Sequence, residues 1–251
     1  MNPIDARPKD EWVIAGRTVT MPCVVRDASL ASLAFVAPLR SLRRLVAGPE
    51  LEPAAVLPGR GLLTLTAVDY RDNDLGDYHE VSIATFVHER GQPPRPPFVG
   101  ALRDLVAGRL PTCIHRLPVD QAFSCEAGRA IWGLPKTLDE IEWRYDGAQA
   151  SCTWRADGAH VLTLVVTRGG GRTVPATAST TYTWIDGRLH TTAFETGATG
   201  VGVRPGGAVV VLGDHPIADE LRALGLPRRA LATTWMEHMH GSFDAPRPVT
   251  P

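Results

Sequence analysis

Gly-Leu-Leu-Thr-Leu-Thr-Ala-Val-Asp-Tyr at residues 61–70 and Tyr-His-Glu-Val-Ser-Ile-Ala-Thr-Phe-Val-His at 78–88 decide the fold class. Both alternate apolar with polar or small side chains, so each reads as a strand that turns one face to a core. The polar joint Arg71-Asp72-Asn73-Asp74-Leu75-Gly76-Asp77 separates them. The same pattern recurs on both sides. Upstream, 17–25 and 29–36 read as strands; downstream, 112 onward brings one near 113–117, then 141–145, 151–155, 161–167, 173–185, 189–194, 208–212 and a closing strand at 229–239. Asp157-Gly158, Gly169-Gly170-Gly171 and Asp186-Gly187 are read as hairpin signals. Helices are few and short: one opening at Pro38 with Leu39, Leu42 and Leu45 at helical spacing, one capped by Asp120 and running to Ala130, and one over 215–224. The proline-rich segment Gly91-Gln92-Pro93-Pro94-Arg95-Pro96-Pro97 reads as a stiff connector. The expectation is an α+β, predominantly antiparallel β fold, one domain over 1–251 with an extended tail at 1–15.

With 251 residues, 44% of them hydrophobic, the chain can bury a full core. Its 26 basic and 27 acidic residues leave a formal charge of −1, which builds no positive field for nucleic acid or an anionic membrane. No run approaches the roughly 20 apolar residues of a membrane span, and no signal-peptide pattern opens the chain, so a cytoplasmic protein with a small-molecule partner is expected. Cys23, Cys113, Cys125 and Cys152 contain no CxxC pair and read as buried thiols. Gly200-Val201-Gly202 lacks the third glycine of a dinucleotide fingerprint, and neither a phosphate-binding loop nor a GxSxG elbow occurs. His238-Met239-His240 and Cys113-Ile114-His115 each lack a third ligand. No cofactor and no metal are therefore expected.

Of the 26 basic residues 24 are arginine, and the two lysines are Lys9 and Lys136. Arginine replaces lysine at most solvated sites but cannot deprotonate to an amine nucleophile. Lys136 ends the stretch Ile131-Trp132-Gly133-Leu134-Pro135-Lys136, where glycine and proline must break the preceding helix and leave the lysine on irregular backbone. Its neighbours Ile131, Trp132, Leu134, Pro135 and Leu138 suit desolvation of an ammonium group.

The segment Glu126-Ala127-Gly128-Arg129-Ala130-Ile131-Trp132-Gly133-Leu134-Pro135-Lys136 resembles the active-site segment of the acetoacetate decarboxylase superfamily, in which a Gly-Arg pair precedes a proline and the Schiff-base lysine. Three further segments are similar in the same order: Leu42-Arg43-Arg44-Leu45-Val46, Leu75-Gly76-Asp77-Tyr78-His79-Glu80 and Leu212-Gly213-Asp214-His215-Pro216. The resemblance implies a β-barrel or cone with a few short helices, a homo-oligomer, and a small oxo acid as substrate. It makes Lys136 the nucleophile and Glu80 the carboxylate facing it, and it places a carboxylate-binding arginine near Arg26, with Arg17 competing. Trp132 and Leu134 become pocket walls. Tyr78 shares the parity of Glu80 on its strand, whereas His79 points the other way.

Two positions depart from the family pattern. Thr137 stands where a second lysine is found, and Leu65 falls near a second carboxylate, with Asp69 the nearest acid. Decarboxylation of a β-keto acid is the leading reading; aldolase, dehydratase or retro-aldol chemistry through the same imine is the alternative. A non-catalytic binding module, with the lysine as a mere carboxylate anchor, is the alternative outside enzymology.

Overall fold

The structure, a computed structural model, describes residues 10–226 and 229–249. In chain order the elements are β1 (Glu11–Ile14), β2 (Arg17–Thr20), β3 (Cys23–Pro38), α1 (Leu39–Leu42), β4 (Leu51–Pro53), β5 (Arg60–Asn73), β6 (Tyr78–Glu89), α2 (Val99–Val106), β7 (Thr112–Val119), α3 (Ala122–Trp132) and β8 (Lys136–Leu138). There follow β9 (Glu140–Asp146), β10 (Gln149–Ala156), β11 (Ala159–Thr167), β12 (Arg172–Ile185), β13 (Arg188–Arg204), β14 (Ala208–Leu212), α4 (Pro216–Ala223), β15 (Ala232–Phe243) and β16 (Arg247–Pro248).

The main sheet runs β4-β6-β5-β3-β15-β13-β12-β7-β8, and a further pairing of β6 with β7 closes it on itself. Closure removes the free edges that a flat sheet would leave. Its pairings are antiparallel except at β7, which runs parallel to both β12 and β8. A second, four-stranded antiparallel sheet, β14-β11-β10-β9, covers one face of this wall. Alternation along the strands creates that contact: Leu33, Phe35, Leu63, Leu65, Val81 and Ile83 share a buried cluster with Cys152, Trp154, Leu162 and Leu164 of the smaller sheet. The opposite face of β5 and β6, carrying Val68, Tyr70 and Tyr78, packs with α3 and the β1–β2 hairpin.

Several local expectations are corrected. Residues 1–9 of the anticipated tail lie outside the described residues, but Glu11–Ile14 is a strand paired with Arg17–Thr20. The expected break around residues 26–28 is a register irregularity inside one 16-residue strand. Gly169-Gly170-Gly171 is not a hairpin turn, because β11 and β12 belong to different sheets and the glycines carry the chain between them. β13 continues well past residue 194, and α2, absent from the sequence reading, follows the proline connector. The closing strand spans Ala232–Phe243 and sits between β3 and β13. All four cysteines are free and buried. Among the described residues no helix is long and apolar enough to cross a membrane.

Candidate active site

The site is assembled where α3 hands the chain to β8. Gln121, not Asp120, caps α3, its side chain accepting a hydrogen bond from the Ser124 amide at 2.6 Å. Asp120 instead binds His79, at 2.7 Å to its amide and 2.6 Å to Nδ1. The helix ends at Gly133 in the left-handed conformation, φ 63°, with its amide bonded to the Arg129 carbonyl. A Cβ there would meet the Trp184 carbonyl oxygen at 2.4 Å, so glycine is required by both torsion and space. Three residues later the chain joins β7 in parallel, Leu117 opposite Lys136, so the lysine stands on a short strand rather than on irregular backbone.

Pairing then sets the separation. Glu80 on β6 lies opposite Val119 on β7, and Lys136 on β8 opposite Leu117, which puts lysine and carboxylate on the two strands that flank β7, two places apart in the sheet. The long lysine side chain spans the gap. It runs over α3 at Gly128, where an added Cβ would fall 2.5 Å from the lysine Cδ, giving the glycine of the Gly-Arg pair a physical role. The Lys136 Nζ ends 2.9 Å from Glu80 Oε2, with side-chain exposures of 3% and 12%. Tyr78 Oη lies 3.5 Å from Nζ, and the ammonium faces the Tyr78 ring at 4.8 Å from its centroid.

Tyr70, opposite Tyr78 in the β5–β6 register and stacked on it at 4.5 Å, places its hydroxyl 3.5 Å from Glu80 Oε1. Burial pushes both phenols well above their ordinary value, with the Glu80 charge adding to it, so both stay neutral, Tyr70 donating to Glu80 and Tyr78 accepting from Lys136. Burial likewise pushes the nearby Cys23 thiol up to about 12, with Asp74 contributing.

These polar groups occupy one corner of a cavity of about 50 Å³. Trp132 and Leu134 from the end of α3, Ile114 and Leu117 from β7, and Leu75 from the β5–β6 connection form apolar walls. Phe194 of β13 and Phe243 of β15 complete it, paired edge to face at 4.9 Å. Trp132 turns its Nε1 away, donating to the Asp244 carbonyl at 2.8 Å. Among the described residues, Lys136 is the one cation that lines the cavity, and no group of three or more His, Cys, Asp and Glu is placed to hold a metal ion.

Of the residues singled out from sequence, Lys136, Glu80, Tyr78, Trp132 and Leu134 meet here. Arg26 does not: half-exposed, it pairs with Asp72 at 3.2 Å and Asp74 at 2.6 Å. Arg17 stacks on Phe123 at the surface. Leu65 and Asp69 both face away from the lysine, Leu65 into the core beneath the smaller sheet and Asp69 toward His79, Arg71 and Tyr145. Thr137 points outward and bonds Asp139, and Leu138 is 57% exposed, so neither belongs to the lysine's surroundings. Tyr70 escaped the sequence reading although the parity of the β5–β6 hairpin contains it. Phe194 and Phe243 gave no local signal, because only the pairing of β13 with β15 brings them there.

Known proteins share this fold. The chain superimposes on acetoacetate decarboxylase from Legionella pneumophila subsp. pneumophila str. Philadelphia 1 with a TM-score of 0.66 at 14% identity, over 98% of this chain and 93% of that one. A second acetoacetate decarboxylase gives 0.64 at 16% identity, over 91% and 89%. The enduracididine biosynthesis enzyme MppR, complexed with pyruvate, gives 0.58 at 17%, over 92% of each chain. These likenesses establish the fold. Among curated proteins no match is found. The family model of acetoacetate decarboxylase (ADC), however, matches residues 2–243, and on that match the chain belongs to the acetoacetate decarboxylase family.

Proposed function

We propose that this protein is a Schiff-base-forming lyase that decarboxylates a small β-keto acid through an imine on Lys136. The observation that carries the reading is the buried Lys136–Glu80 contact of 2.9 Å at the polar corner of an otherwise apolar cavity. Glu80 is placed to take the ammonium proton and free the amine. The amine adds to the ketone carbonyl, the carbinolamine gains a proton, and water leaves to give the protonated imine. The bond to the substrate carboxylate then breaks, its electron pair passing into the C=N⁺ group, so that carbon dioxide and a neutral enamine result. Protonation of the enamine carbon, with Glu80 as proton carrier, restores an iminium; water hydrolyses it to the ketone and the amine. The balance is one β-keto carboxylate and one proton in, one ketone and one carbon dioxide out. Tyr78, near the lysine nitrogen, serves to hold the carbinolamine oxygen, while Trp132 and Leu134 keep water from competing at the enamine.

Aldol or dehydratase chemistry needs the same imine, and MppR has been seen with the condensation product of pyruvate and imidazole 4-carboxaldehyde. For this chain a carboxylate that leaves fits the cavity better than one that stays, since Lys136 is the one cation among the described lining residues. The test uses acetoacetate in ¹⁸O-water. An imine path must place one solvent oxygen in each ketone formed, whereas decarboxylation without an imine places none. Labelling at the level of background exchange, or no carbon dioxide released above the spontaneous rate, overturns the proposal.

A further inference from the structure

Resting on the imine reading above, we infer that the natural substrate is a β-keto monoacid whose ketone carries an apolar tail, an alkyl chain longer than methyl or a phenyl ring, seated against Phe194 and Phe243. Charge comes first. With the iminium formed, the buried corner holds one positive charge on Lys136 and one negative charge on Glu80, so a substrate carboxylate is a second negative charge with no partner of its own. An unpaired buried carboxylate is costly. A β-keto acid sheds it as neutral carbon dioxide. An α-oxo acid such as pyruvate keeps it, and a dicarboxylate keeps one of two, so both are disfavoured here.

Size and surface determine the other end. A cavity of about 50 Å³ has room for roughly four water-sized groups, enough for the reacting carbons and little more. Whatever is attached beyond the ketone must therefore reach the rim. There Trp132, Phe194 and Phe243, among the described lining residues, offer no free side-chain hydrogen-bonding group: the Trp132 indole N–H is spent on the Asp244 carbonyl, and the partly exposed Phe194 and Phe243 present an edge-to-face pair, with Trp132 edge-on to Phe243 at 6.2 Å. A polar tail would lose its water at this rim and gain nothing. A hydrocarbon tail covers the two rings and takes its binding from burial.

The experiment measures kcat/KM for carbon dioxide release from acetoacetate, 3-oxohexanoate and benzoylacetate, alongside borohydride trapping of Lys136 by acetone, 2-pentanone and pyruvate. Each added methylene should raise kcat/KM about fourfold, the equivalent of about 0.8 kcal/mol, and so about sixteenfold from acetoacetate to 3-oxohexanoate. Phe194→Leu and Phe243→Ala should flatten that slope, and 2-pentanone should trap far more efficiently than pyruvate. Trapping at Lys136 combined with a flat or falling slope, or with pyruvate trapped as well as 2-pentanone, overturns the tail inference while leaving the imine intact. No trapping by any of the three overturns the imine and the inference with it.

Discussion

Lys136 spends its hydrocarbon stem on Gly128 and its nitrogen on Glu80, so one side chain touches the helix before it and a strand two places away in the sheet. Glu80 is its one charged partner at this distance among the described residues. Glu80→Gln keeps the shape and removes the proton carrier. Turnover should fall about a hundredfold or more, while the thermal midpoint drops by only a few degrees because the glutamine amide oxygen still accepts the lysine's hydrogen bond. A loss of several kcal/mol with turnover per folded molecule unchanged would make Glu80 a structural partner only. At this scale the sequence was informative wherever chemistry restricts the residue type: a lysine in a chain that otherwise uses arginine, and a glutamate following a tyrosine by two. It was uninformative for arginine, which is abundant here. Nothing local distinguishes Arg26, tied to Asp72 and Asp74, from a residue that meets a substrate.

A single strand, β6, divides two environments. Tyr78 and Glu80 face the cavity, and His79 between them faces a polar cluster in which Asp120 and Asp69 hold its ring. Hydrogen bonds to Asp120 first, and then to Asp69, raise its pKa from 6.5 to about 9 against the opposing effect of burial. The raised folded value means that the stabilisation is fully present below pH 6.5 and is lost as pH rises through 9. Because the ring is about a third exposed, the effect is on the order of 2 kcal/mol after solvent screening. Denaturant unfolding of the parent should weaken across that window relative to its value at pH 6, and His79→Gln should be flat over the same range. Parallel curves for the two proteins would exclude the His79 contribution. The period-two parity of β6 was plain in the sequence, since alternation fixes which residues share a face. Caps and short strands were not: Asp120 and Gln121 are both able to cap, and β8 exists only because β7 is there to pair with it.

At the level of the whole molecule, the cavity is a product of closure. β7 pairs with β6 on one side and β12 on the other, and β15 inserts between β3 and β13, bringing Phe243 opposite Phe194 and both to the lysine. The longer strands were legible one by one because each carries its own alternation; their partners were not, because contacts between residues far apart in the chain leave no periodic trace. Gly169-Gly170-Gly171 shows the difference, a turn in composition but a crossover between sheets in space. Closure also explains why a single lysine suffices: five strands of the sheet, together with α3, supply the carboxylate, the phenols and the dry walls. That account stands on the imine. The most direct measurement incubates the protein with acetoacetate and sodium borohydride, digests it and locates the reduced adduct by mass spectrometry. The adduct should lie on Lys136 alone and be absent from Lys136→Arg, which keeps the positive charge and loses the nucleophile; an adduct confined to Lys9, or one that persists in the variant, would contradict the account.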